Sequence, residues 1–155
     1  MALKTRDNRD KQDSLFEQLR LVHHAKVLVG IFDAIVAEYA IYNEYGVREI
    51  EGKTDLDGDG WIIPERSFFR STIDKFSAKY DGILKQGLKA MLAGRTTAEK
   101  VLITLGSEIE SDIKDMITSI NYPPNADSTI KRKGVDNPLI ESSRMRNSVT
   151  FKVVT

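Results

Sequence analysis

Cysteine is absent from the 155 residues, and that one absence removes disulfides, thiolate zinc sites and cysteine nucleophiles together. Stability has to come from packing. No run of about 18 apolar residues occurs that would cross a bilayer, and the N-terminal MALKTRDNRDKQDS is polar, without the apolar stretch of a secretion signal. The expectation is a chain neither exported by a visible signal nor spanning a membrane. An excess of either charge is also lacking: Lys plus Arg and Asp plus Glu stand at 23 each, so no global field draws the protein to nucleic acid or lipid. Catalytic signatures are missing too. There is no GxSxG, P-loop or GxGxxG, and Glu38, Glu44, Glu49 and Glu51 have no partner motif for general acid–base work. The adjacent His23 and His24 face about 100° apart on a helix and do not chelate one ion as an i, i+4 pair does. Neither an enzyme nor a cofactor is expected.

What is present fits one compact domain: 41% of residues are hydrophobic and 30% charged. Residues 1–13 read as a flexible charged arm, and 14–155 as a single domain. Ser14 and Glu17 form a capping-box pair ahead of Leu15, Phe16, Leu19 and Val22, which predicts a helix over about 14–25. The apolar, β-branched Lys26 to Phe32 predicts a buried strand. A second helix over about 33–45 places Ile35, Tyr39 and Tyr42 on one face and ends at Gly46. Residues 47–63 read as two extended arms around a Gly/Asp loop.

The strongest periodicity follows. Phe69, Ile73, Phe76, Tyr80, Ile83, Leu84, Leu88, Met91 and Leu92 recur at steps of three and four, predicting a long amphipathic helix over 67–93. Gly82 and Gly87 inside it each cost about 1 kcal/mol relative to alanine, so close packing or a bend is expected there. Gly94 closes the helix. Thr96 and Glu99 then cap a second one running to about Ile120, with Val101, Leu105, Ile109, Ile113, Met116 and Ile117 on its buried face. The short reversal predicts an antiparallel αα-hairpin. Pro123 and Pro124 break the pattern; a short helix over 127–133, a turn at 136–138, a helical turn over 142–147 and a strand over 148–154 complete the chain. The fold class is α+β, a small antiparallel or mixed sheet against a long αα-hairpin and shorter N-terminal helices.

TDLDGDGWIIPE at 54–65 tests for calcium. Counted from Asp55, Asp57 and Asp59 stand at positions 3 and 5 of an EF-hand loop, Gly60 at 6 and Ile62 at 8, but position 12 is Arg66, a cation where a bidentate glutamate must close the shell. No amphipathic helix enters the loop. The count favours a polar hairpin tip without metal, with calcium binding through Asp55, Asp57 and Asp59 as the alternative. At the other end, residues 128–155 hold six Lys/Arg against two Asp/Glu. Lys131, Arg132, Lys133, Arg144 and Arg146 read either as a patch for DNA phosphates or an acidic protein, or as a solvated loop.

Three ordered segments, AEYAIYNEYG at 37–46, IPERSFFRSTID at 63–74 and TIKRKGVDNPLIESSRMRNSVTFKV at 129–153, carry a resemblance. Together they resemble the tail-completion, neck or virion-morphogenesis proteins of tailed bacteriophages. In that family a helix ending in "hEFG" precedes "IPxRPFLR", and "KGSxxPLIDTGxLRxSI" leads into a strand. The residues that the resemblance implies as motif and interface positions are Glu44, Gly46, Pro64, Arg66, Phe68, Phe69, Arg70, Pro138, Leu139, Ile140, Arg144, Met145, Asn147 and Ser148. There are departures: Ser67 stands where the family commonly has proline, and Ser142-Ser143 replaces Thr-Gly, so that turn must form without glycine. The resemblance implies a structural subunit without chemistry of its own, forming a homo-oligomeric, hexameric ring at the head–tail junction or tail end. Its implied partners are portal, connector or adaptor proteins, tail tube or tail terminator proteins, and DNA in the channel, with no membrane. Its implied location is the virion neck or tail, after assembly in the host cytoplasm.

Overall fold

The structure, a computed structural model, describes residues 2–48, 62–122, 124–125, 130–131, 134, 139 and 143–155. Among them five helices and a two-stranded antiparallel sheet give an α+β fold with a helical hairpin. In chain order these are α1 (Ala2–His24), β1 (Lys26–Ile31), α2 (Ala34–Tyr45), α3 (Phe69–Leu92), α4 (Ala98–Ser119), α5 (Arg144–Ser148) and β2 (Val149–Val154). The sheet pairs β1 with β2.

Helix α1 begins at Ala2 instead of Ser14, so the expected arm is continuous with the helix. No glycine or proline lies between Ala2 and Val29 to stop it, and a helix is interrupted chiefly by those two residues. The strand after it is not the buried one expected: Leu28 is 44% exposed, because a sheet of two strands leaves much of each uncovered.

The chain divides into two compact units, and α3, α4 and both strands contribute residues to each. The first comprises residues 1–28, 77–109 and 151–155. Its core holds Tyr80, Met91, Ala98, Val101 and Leu102. Here the hairpin closes as the spacing predicts. Gly94 takes a left-handed φ of 69°, the Gly94 amide donates to the Met91 carbonyl and the Arg95 amide to the Ala90 carbonyl, which satisfies the last orphan carbonyls of α3. Gly87 lets the helices approach closely: a Cβ there would lie 2.5 Å from Val101 Cγ1. Among the described residues nothing approaches Gly82 in the same way. Lys79 and Glu108 pair at 3.0 Å farther along, the reverse order along α4 that an antiparallel pair requires. The cap of α4 is one residue later than expected. Thr97 Oγ1 accepts from the Lys100 amide, and Gln18 of α1 accepts from the Ala98 amide at 2.7 Å.

The second unit comprises residues 29–76 and 110–150. Its largest fully buried side chains are Phe68, Ile113, Ile117, Val149 and Thr72. The α4 stripe therefore points inward as predicted, whereas on α3 Ile73 is exposed and the neighbouring Thr72 is buried. Its hydroxyl is satisfied by donating to the Phe68 carbonyl at 2.6 Å.

Candidate functional site

Helix α2 organises the site because it carries a carboxylate at each end and meets all three segments named above. At its start, Asp33 is the N-cap: one carboxylate oxygen accepts from the amides of Ile35 (3.0 Å) and Val36 (3.2 Å), two donors that no helix can satisfy internally. Asp33 also faces Arg144 of α5 at 3.5 Å, and α5 packs on α2. The Val36 amide, with the Ile35 amide and Arg144 behind it, holds the Asp33 carboxyl below its ordinary range.

At the other end the buried stripe Val36, Ala40, Glu44 finishes on a carboxylate that is only 4% exposed. After Gly46, at φ 68°, the chain returns through an antiparallel bridge between Val47 and Ile63, and Pro64 restricts Ile63 to extended backbone. Residues 64–68 then lead over the end of α2 into α3. The Arg66 amide donates to the Asn43 carbonyl at 2.7 Å, while the buried Arg66 guanidinium donates to the Pro124 carbonyl at 2.8 Å.

This path brings the first turn of α3 onto Glu44. Its oxygens accept from the amides of Phe68 (2.7 Å), Phe69 (2.9 Å) and Arg70 (3.1 Å), from Ser67 Oγ (2.9 Å) and from Arg70 Nε (3.1 Å). Arg70 closes the cluster: Nη2 donates to the Glu44 carbonyl and to Glu65, both at 2.7 Å, and the guanidinium lies 4.7 Å from the Tyr45 ring centre. Glu44 thus does for α3 what an N-cap residue does for its own helix, and its negative charge sits at the positive end of the helix dipole. Burial alone would raise the carboxyl's pKa. The Phe69 and Arg70 amides, the Ser67 hydroxyl and the Arg70 guanidinium outweigh it and hold the pKa below the ordinary value. Five donors fill the lone pairs of the two oxygens. The carboxylate is a fastener, with no capacity left to take a proton from a substrate.

The departures from the family pattern acquire physical meanings here. Ser67, in place of proline, adds a donor to Glu44. Ser143, in place of glycine, takes φ 57°, the left-handed region, with its carbonyl accepting from the Asn147 amide. Arg146 donates to Thr118 of α4 at 3.1 Å, and Leu139 is buried. Arg144 and Arg146 are thus engaged in seating α5, while Lys131 stays exposed on a helical turn. Arg132, Lys133, Pro138, Ile140 and the loop of Asp55, Asp57 and Asp59 lie outside the described residues. Among the described residues no group of three His, Asp or Glu side chains is placed to hold a metal, and no helix is long and apolar enough to cross a membrane.

The other face of α2 is turned outward. Ile35, Tyr39, Ile41 and Tyr45 are all more than half exposed, and Glu38 between them accepts from the Tyr42 hydroxyl at 2.8 Å. Beside them an open recess of about 340 Å³ lies between Val29–Ile31 of β1 and α2, floored by Gly30, Ala37 and Ala40. The sequence reading missed Asp33 and Glu65 as site members, although an aspartate immediately before an apolar helix is the usual capping signal. No known protein family, curated protein or solved structure matches the chain.

Proposed function

We propose that the protein is a structural subunit of a tailed-bacteriophage virion that assembles as a homo-oligomeric ring at the head–tail junction or tail end, completing the neck or tail. The observation that carries this reading is the Glu44 cluster. Glu44 of the first family-like segment accepts from Ser67, Phe68, Phe69 and Arg70 of the second, the Arg66 amide donates to the Asn43 carbonyl, and Arg144 of the third pairs with Asp33. That residues of the first two segments build one junction at the end of α2 is what a shared architecture would require. The same junction leaves the apolar face of α2 outward, as an assembling subunit needs.

The test is the mass of the purified protein, alone and mixed with portal and tail components, with the particles probed for the chain. A ring that incorporates into particles is the expected result. A monomer that never enters particles would end the proposal.

A further inference from the structure

The outward face of α2 resembles half of an interface in both area and charge. Tyr39 and Tyr45 are 61% and 58% exposed, Ile35 and Ile41 60% and 56%. With about 150–250 Å² per buried aromatic side chain, the four present on the order of 400 Å², within the range of the largest apolar patch a monomer normally shows. A specific interface takes about 800 Å² from each partner, a little over half of it apolar. This one face therefore supplies the apolar share that a stable pair needs. The charged residue that α2 itself contributes to this face is Glu38, one turn from Ile35 and Ile41, while Arg70 of α3 lies 4.7 Å from the Tyr45 ring centre.

A matching surface exists on the same chain. On α1, Phe16 is 62% exposed and Leu19 39%, and Arg20 lies beside them at i+4 from Phe16, its side chain in an exposed pair with Glu17. Apolar residues flanking a carboxylate on α2 and apolar residues flanking a guanidinium on α1 are thus complementary in chemistry. Packing α2 against α2 of another copy about a two-fold axis would instead oppose two Glu38 carboxylates near the helix midpoint, which like-charge repulsion disfavours. The whole chain balances 23 basic against 23 acidic residues, so copies do not repel one another at long range.

We propose that the outward face of α2 is the docking site for α1 of a second copy of this chain, with Phe16 and Leu19 seated among Ile35, Tyr39 and Tyr42 and Arg20 paired with Glu38. The contact is heterologous, the kind that propagates around a ring, and it rests on the ring reading above.

The experiment is a charge swap read by sedimentation equilibrium over a concentration series, with far-UV circular dichroism confirming that each exposed-site variant is folded. Glu38→Arg and Arg20→Glu should each weaken self-association about tenfold or more, and the double variant should recover most of it, since a close interfacial charge pair couples by at least about a factor of ten. Assembly that ignores both single reversals, or single losses that the double variant fails to restore, would overturn the docking while leaving the ring reading intact. A wild-type chain that stays monomeric throughout would overturn both.

Discussion

The two faces of α2 invert the usual arrangement. Its inner face is small and ends on a charge, Val36, Ala40 and Glu44, whereas its outer face carries Ile35, Tyr39, Ile41 and Tyr45. A buried carboxylate is costly unless fully paired. Its presence inside therefore marks a fixed architectural joint, here the start of α3. Large apolar side chains outside are costly to solubility and repay that cost only when covered. One helix thus presents two different surfaces: the inner face holds the fold, and the outer face is exposed.

That division breaks most visibly at Glu44. Replacing it with alanine strips the partners from the Phe68, Phe69 and Arg70 amides and leaves Arg70 without its buried counter-charge, so the unfolding free energy should fall by about 3–5 kcal/mol in urea titration. An unchanged midpoint would remove Glu44 from the architecture.

Acid sharpens the same contrast. The folded pKa of Glu44 lies below its unfolded value, so the carboxylate's contribution is present in full above about pH 4.3, the ordinary glutamate value, and fades as pH falls through the lower folded value. Stability should decline over that window in the wild type. Glu44→Gln should be less stable at neutral pH and show a flatter acid profile, measured as unfolding midpoint against pH. Parallel profiles for the two proteins would assign acid sensitivity elsewhere.

A smaller effect is expected where α5 turns to meet α2. Ser143 sits at φ 57°, which disfavours any side chain but suits glycine. Ser143→Gly should therefore stabilise the protein by about 0.5–1 kcal/mol despite glycine's greater freedom when unfolded. A loss of stability in thermal unfolding would show that the serine makes a contribution beyond its backbone geometry.

How much of this is legible in the sequence depends on where each residue's partner lies. The hairpin is readable because all its signals are local: steps of three and four through Val101, Ile113 and Ile117, and a glycine at 94 where the chain must turn left-handed. The beginning of α1 is not, since a polar segment without an apolar stripe looks like an arm although nothing in it breaks a helix. Periodicity also identifies the apolar face of α2 without saying whether that face turns in or out. Glu44 is the clearest case. Its donors arrive from residues 23 to 26 positions later, so no local spacing announces them.

The central claim, that the outer face of α2 serves assembly and not folding, is tested most directly by one variant measured two ways. For Tyr39→Asp, unfolding is followed at a concentration too low for association, and sedimentation mass at a high one. The account predicts a stability within about 0.5 kcal/mol of the wild type, as for other exposed positions, together with loss of the assembled species. A variant that unfolds readily yet retains its assembled mass would contradict it.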